Sequence, residues 1–272
     1  CLGREVELGE NGLPVGIRAG DTELLAAPMR FDVAEPGTLR FTRETDGAVE
    51  WESGSCRGRM EYDGHLHYSV GVKRYGAPAL EIPFKPESAQ YMMGAGRGGG
   101  IRPKEWRWKW GGPCDSFWVG GGHVGLHCEL RGGSYHGPLL NVYHPAPPPT
   151  WGNGGRGGVS IVETNGQVLA TAFSGAREVK AGEEAAFEFA LLITPVKPLD
   201  TATHLRTRYF HGNTCWRFDG ADPTPPPDML AAGVNVMNVH HASIFNPYIN
   251  YPFLRTAELS KLTAEMHRKN VK

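Results

Sequence analysis

No apolar run in these 272 residues approaches the roughly 18 that a membrane-spanning helix needs, so no membrane span is expected. Charge of one sign is missing too. Lys and Arg number 28 against 29 Asp and Glu, for a formal net charge of −1. Partners that select basic patches, nucleic acid above all, are therefore not expected. The five cysteines, Cys1, Cys56, Cys114, Cys128 and Cys215, include no CxxC pair. That removes the usual zinc spacing, and an odd count cannot pair fully. Free thiols are the simpler reading, with Cys114 and Cys128 the first pair to test for a disulfide. His65 and His67 stand two apart on a strand pattern but lack an evident third ligand, so no metal is expected. The run GAGRGGG (94–100) lacks both a following GK[ST] and a strand–turn–helix setting, so it does not read as a phosphate cradle. No cofactor is expected. Nor is there a long amphipathic helix before residue 225.

What the chain does have is glycine (37), proline (21), seven tryptophans and nine tyrosines. The aromatics argue against disorder, and the turn formers suit many short strands. Extended patterns cover Val6–Leu8, Pro14–Arg18, Leu39–Thr42, His65–Val72, Ala79–Ile82, Val124–Leu130, Val159–Val162, Val168–Phe173 and Ala185–Ile193. Asn11-Gly12 between the first two is a hairpin signal. The expected class is mainly β, an N-terminal antiparallel β-sandwich. Trp106, Trp108 and Trp110 alternate, so one strand face carries all three. Packing is the favoured role for that row, with sugar stacking as the rival, and Arg107 and Lys109 then face solvent.

The proline-rich stretch 219–228 (DGADPTPPPD) reads as a stiff linker, giving a sandwich over 1–218 and a second segment over 229–272. A second break lies at Thr194–Asp200, where two prolines end a strand. In the last segment, Met229–Ala232 can make a helical turn that stops at Gly233. A buried strand, Val234–Val239, follows. Thr256 starts a helix whose stripe is Leu259, Leu262 and Met266, with Glu265 and Lys269 on the wet side and Asn270 as the stop. Val271 begins a further strand. This is the first βα unit of a (β/α)8 barrel that is truncated in this chain. Barrels of this kind put chemistry on the loops after the C-terminal ends of their strands.

The loop His240–Phe253 (HHASIFNPYINYPF) is such a loop. His240 and His241 end the strand, and Asn246, Asn250 and Tyr251 offer the fixed donors and acceptors that sugar hydroxyls require. These five are the expected substrate contacts. Asn246 and Asn250 alternatively cap their own loop.

Residues Asn238–Phe253 resemble the first barrel loop of a bacterial glycoside-hydrolase-like family related to glycoside hydrolase family 123, the β-N-acetylgalactosaminidases. NGLPVGI (11–17), LLAAPMRF (24–31), MEYDGHLHY (60–68), FWVGGGHVGL (117–126) and LLITPVKPLD (191–200) are similar to its sandwich, in the right order. The resemblance implies a sandwich packed on a barrel that cleaves glycosidic bonds. It further implies an adjacent Asp–Glu pair on a later barrel strand, the Asp orienting the substrate's own acetamido nucleophile and the Glu serving as acid and base. The Glu183-Glu184 pair lies in a sandwich turn and does not match, so no catalytic residue is assigned. The chain alone is expected to be inactive, and the rest of a barrel or another chain is expected to cover residues 229–272. The rival readings are a non-catalytic carbohydrate-binding protein and a structural sandwich subunit. Cys1 at the start fits a processed bacterial lipoprotein, or equally a trimmed chain. The expected location is secreted, periplasmic or cell-surface.

Overall fold

The computed structural model describes residues 3–32, 34–35, 37–73, 76–110, 114–132, 148–180, 182–196, 200–212, 227–239 and 252–272. They form two compact units, Cys1–Pro198 and Leu199–Lys272. In the first unit the strands are β1 Arg4–Leu8, β2 Pro14–Ala19, β3 Thr22–Glu23, β4 Arg30–Phe31, β5 Arg40–Glu44, β6 Ala48–Ser53, β7 Cys56–Glu61 and β8 His65–Val72. They continue with β9 Ala79–Phe84, β10 Tyr91–Gly94, β11 Glu105–Lys109, β12 Ser116–Gly120, β13 Gly125–Arg131, β14 Gly158–Thr164, β15 Gln167–Phe173 and β16 Ala185–Thr194. A single helical turn, α1, covers Pro149–Gly152.

An eight-stranded sheet runs β10-β12-β13-β16-β8-β7-β6-β5, and a five-stranded sheet runs β11-β14-β15-β9-β4. Strands β1, β2 and β3 make a third, smaller sheet. Pairing within all three is antiparallel. Period-two alternation decides which side faces inward. On β8, Leu66, Tyr68 and Val70 are buried while His65, His67 and Ser69 are half-buried. Side chains from both large sheets join one buried cluster, for example Phe117, Leu126, Phe187 and Phe189 with Leu80, Ile82, Ile161 and Ala170. That is the sandwich the alternation predicts.

The tryptophan row follows the packing reading. Trp106 and Trp108 lie opposite the buried Ile161 and Val159 and pack on the core with Trp110. Trp106 donates its indole N–H to the Ala95 carbonyl at 3.0 Å. Glu105, Arg107 and Lys109 are exposed on the other side.

GAGRGGG is a tight turn. Gly94 and Arg97 exchange backbone hydrogen bonds, and Gly94 holds a φ of +86°. A Cβ there would stand 2.4 Å from the Ser116 carbonyl oxygen. The glycines thus serve chain reversal and close approach, and the run leads into β11 rather than a helix.

Cys56, Cys114 and Cys128 are free thiols, so Cys114 and Cys128 are not joined. Burial pushes the Cys56 thiol up to about 12 and raises that of Cys128 as well. The thiolate is the nucleophile. Iodoacetamide at about pH 8 should therefore modify half-buried Cys114 and spare Cys56 and Cys128 until denaturant is added. Peptide mass mapping reads this directly, and native labelling of Cys128 would contradict it.

The second unit contains α2 Thr201–Arg206, β17 Tyr209–Gly212, α3 Pro227–Ala231, β18 Val236–Val239 and α4 Thr256–Arg268. The division after Pro198 corrects the expected 1–218 and 229–272 boundaries. Residues 209–212 cannot be sandwich, because they pair in parallel with β18. The break falls instead at the proline pair in 195–198 that ends β16. Most of the proposed linker 219–228 lies outside the described residues. Within this unit Gly233 holds a φ of +74° just after α3, and Asn270 one of +59° just after α4, both left-handed stops where expected. The helix cap differs: Thr256 is the first helical residue and its side chain makes no cap. Lys269 and Glu265 stand 3.3 Å apart, the expected i, i+4 pair.

Candidate functional site

The second unit holds two parallel strands followed by a crossing helix. Strands β17 and β18 run parallel, with Tyr209 to Gly212 opposite Val236 to Val239. Asn235 ties the entry to this pair: its side chain accepts from the Arg208 N–H at 2.8 Å and donates to the Arg206 carbonyl at 3.0 Å. Helix α4 then returns the chain to the other edge of β18. There Lys272 N–H donates to the Asn235 carbonyl at 2.9 Å, and Met237 N–H donates to the Lys272 carbonyl at 2.7 Å. Bonds to residues either side of Val236 are the signature of a parallel pair. A helix crossing between parallel neighbours is the repeating unit of α/β architecture. Beneath α4, Leu262 and Met266 are buried with Met229 and Val271, as the predicted stripe requires.

The chain leaves the C-terminal end of β18 at Val239. The predicted contacts His240, His241, Asn246, Asn250 and Tyr251 come next in sequence and lie outside the described residues. On the neighbouring strand Tyr209, 58% exposed, and His211 have ring centroids 6.3 Å apart, with Phe210 between them partly buried.

In the first unit, polar residues gather on the outer side of the eight-stranded sheet. Register places Trp118, His127, Leu192 and His65 in one row across β12, β13, β16 and β8. The adjacent row is Ser116, Glu129, Ala190, His67, Arg59 and Glu50. The cations here are engaged: Arg131 with Glu129 at 2.7 Å, and Arg59 with Glu50 at 2.7 Å and Glu61 at 3.2 Å. Partial burial lowers the basicity of His67 and His127, against the opposing pull of Glu188 on the first and of Glu129 and Asp115 on the second. Both imidazoles are thus neutral near pH 7, each with one donor and one acceptor nitrogen. Among the described residues no group of three His, Cys, Asp or Glu stands close enough to hold a metal ion.

Trp118 is set differently from the core tryptophans. Its indole lies across Gly120 and Gly125, which face each other on β12 and β13. The indole N–H donates to Thr194 Oγ1 at 2.9 Å. Sequence reading had not singled out Trp118, His127 or Glu129. Their signal was the period-two pattern Ser116, Trp118, Gly120, then Gly125, His127, Glu129, Arg131, interrupted by Gly121-Gly122, where the strands turn.

An apolar cavity of about 480 Å³ opens elsewhere in the same unit, lined by Val6, Leu8, Leu39, Phe41, Trp51 and Met60 among others. Its lining is poor in the donors and acceptors that a polyhydroxylated ligand needs. No described helix is long and apolar enough to cross a membrane.

A family model described as glycoside hydrolase 123, third domain, matches residues 1–195. A second, described as glycoside hydrolase 123, TIM-barrel domain, matches residues 200–272. No curated protein matches the chain. Among solved structures, a galactose mutarotase related enzyme from Lactobacillus acidophilus is similar at 7% identity and a TM-score of 0.43, covering 72% of this chain and 96% of that one. A putative aldose 1-epimerase from Escherichia coli K12 is similar at 9% identity and a TM-score of 0.37, covering 71% and 96%. A putative mutarotase from Salmonella typhimurium is similar at 8% identity and a TM-score of 0.38, covering 68% and 84%.

Proposed function

Because the chain belongs to glycoside hydrolase family 123, we propose that it forms the accessory sandwich and barrel opening of an enzyme that hydrolyses O-glycosidic bonds in glycans. The observation that carries this reading is the second unit: two parallel strands, a crossing helix, and a third backbone segment bonded beyond it. A barrel concentrates its chemistry where loops leave the C-terminal ends of such strands. The loop after β18 then supplies substrate contacts through His240, His241, Asn246, Asn250 and Tyr251. Pro247 and Pro252 stiffen it, which lowers the ordering cost of binding. A glycan is the substrate, and secretion to the periplasm, cell surface or medium suits a polymer too large to enter a cell. In this reading the paired carboxylates of glycoside hydrolysis come from other barrel strands, and the part of residues 229–272 is substrate binding.

Residues 1–272 should therefore show no turnover of 4-nitrophenyl glycosides, the N-acetyl-β-galactosaminide included. A polypeptide carrying this chain and the full set of barrel strands should hydrolyse at least one of them. In that protein Asn250→Ala or Tyr251→Ala should lower kcat/KM roughly tenfold, the size of one lost hydrogen bond to a substrate. Turnover by residues 1–272 alone, or none by the completed barrel, would end the reading.

A further inference from the structure

We propose that the outer face of the eight-stranded sheet binds a hexopyranoside, with Trp118 as its stacking platform and His127 and Glu129 as hydrogen-bonding groups at its edge. The proposal stands on the first unit alone and does not rest on the barrel.

Two glycines, Gly120 and Gly125, face each other beside Trp118 without any need for a left-handed backbone. Neither Gly120 nor Gly125 holds a positive φ, so any residue fits those dihedral angles. At Gly125 the indole alone excludes a side chain; at Gly120 the indole does so together with the facing Gly125 Cα, which a Cβ would approach to 2.7 Å. A Cβ on Gly120 would stand 2.4 Å from Trp118 Cζ2, and one on Gly125 2.5 Å from the same atom. Both positions share the outer side of the sheet with Trp118, two residues along β12 and opposite on β13. The ring therefore occupies the space that two side chains would fill. The ring lies against the two strands and the residue as a whole is half-buried.

The ring is also fixed in place. Thr194 lies opposite Gly125 on β16 and accepts the indole N–H at 2.9 Å. That bond holds the far edge of the ring, so little side-chain freedom remains to be lost on binding. Burial in the core would hide the same area more completely, as it does for Trp151. Half-exposed aromatic rings held rigid on a sheet are instead suited to contact with a ligand.

The surroundings select the class of ligand. Tyr91 lies opposite Gly120 and Met93 opposite Trp118 on the edge strand β10; they are 42% and 53% exposed. They extend the apolar floor. On the other side His127 lies opposite Trp118, and Glu129 follows two residues on. A pyranose ring offers an apolar C–H face to a flat aromatic surface and a rim of hydroxyls that both donate and accept. A neutral imidazole answers with one donor and one acceptor, and a carboxylate with acceptors. A nucleotide's base also stacks, but its phosphates need unpaired cations. Here Arg131 is already held by Glu129 and the chain carries no basic excess.

The test is a titration of the full 272-residue chain with methyl β-galactopyranoside and, separately, methyl β-glucopyranoside. The Trp118 indole N–H signal, assigned by its loss in Trp118→Phe, is read by NMR. At least one glycoside should shift it saturably. By calorimetry, Trp118→Ala should weaken binding about tenfold or more, as expected for a central aromatic anchor. Gly125→Ala keeps a strand-compatible backbone while its methyl displaces the ring, and should weaken binding similarly. Tyr91→Ala removes an exposed side chain without risk to the core and should weaken it less. No shift of the Trp118 signal with either glycoside overturns the proposal. So does undiminished affinity in a folded Gly125→Ala or Trp118→Ala protein. Turnover assays read the barrel and the Trp118 signal reads the sandwich, so each reading can fail alone.

Discussion

Replacing Trp151 by alanine should cost the first unit about 3–5 kcal/mol, the range for removing a large buried ring. Trp151 is fully buried in α1, between the two sheets' aromatic residues. Its ring meets Phe187 edge-on at 5.0 Å, Phe31 at 6.2 Å and Phe189 at 6.5 Å. Such edge contacts add to the apolar area removed from water. Its indole N–H donates to the Glu188 carbonyl at 2.8 Å. The backbone around it cannot close the gap. Ser174 donates its hydroxyl to the Thr150 carbonyl at 2.7 Å, and Asn153 donates to the Ser174 carbonyl at 2.8 Å, so the turn is pinned on both sides. Gly157 also passes so close that a Cβ on it would sit 1.8 Å from the Trp151 carbonyl oxygen. With a rigid surround the cavity stays open, and the loss falls at the high end of the range. Trp151→Phe keeps an aromatic ring but loses the bond to the Glu188 carbonyl and part of the ring volume, and should cost about 1–3 kcal/mol. In thermal unfolding the alanine variant should melt on the order of 10 °C lower. A loss below about 1 kcal/mol would mean that the site collapses, contrary to the pinning described here.

Trp151 also shows where sequence reading runs out. It lies in a stretch crowded with proline and glycine, which reads as loop. Composition does not give the helical turn α1 that stands there. It says nothing of a ring inserted between two sheets that meet only through distant pairing. Strands with clear alternation or apolar runs were legible: His65–Val72 matches to the residue, and the paired strands β14, β15 and β16 to within one or two. Strands β6 and β7 were not read. Their charged residues share one face and Val49, Trp51, Cys56 and Met60 the other, but the apolar face is weakened by Ser53 and by Gly58, which leaves room for Trp51. Pairing with neighbours makes them strands, and pairing is non-local. Strand β17 was missed for a related reason. Tyr209–Gly212 is short and has only a parallel partner 27 residues on, beyond any hairpin signal.

The two candidate sites differ in the same way. The residues proposed after β18 could be named from the sequence because they are consecutive and follow an apolar run, and they lie outside the described residues. The Trp118 face was not legible, because its members come from β8, β10, β12, β13 and β16, and only register brings them together. Period two was visible in each strand, but it does not say which side a sheet will cover.

The second unit's own core is where a single change should do most to the barrel opening. Among the described residues Met229, Leu262, Met266 and Val271 are buried there, with Phe210, Leu230, Val234, Met237, Val239 and Leu259 partly buried around them. Leu262 is 1% exposed on the inner stripe of α4. Leu262→Ala should remove about 2–5 kcal/mol from this unit. A whole domain is commonly stable by only about 5–15 kcal/mol, so the loss is a large share of what so small a core supplies. The wet side of α4 cannot compensate, since exposed pairs such as Glu265 with Lys269 contribute about 0–1 kcal/mol each. Hydrogen exchange locates the effect. Amides of β17, β18 and α4 should lose protection, while β8, β13 and β16, which belong to the sandwich cluster, should keep theirs. The Met237 N–H bonded to Lys272 is the sharpest reporter, because that bond exists only while α4 returns the chain to β18. Equal loss of protection in both units would show that the two clusters unfold together, and unchanged exchange at Met237 would show that α4 does not hold the third segment in place.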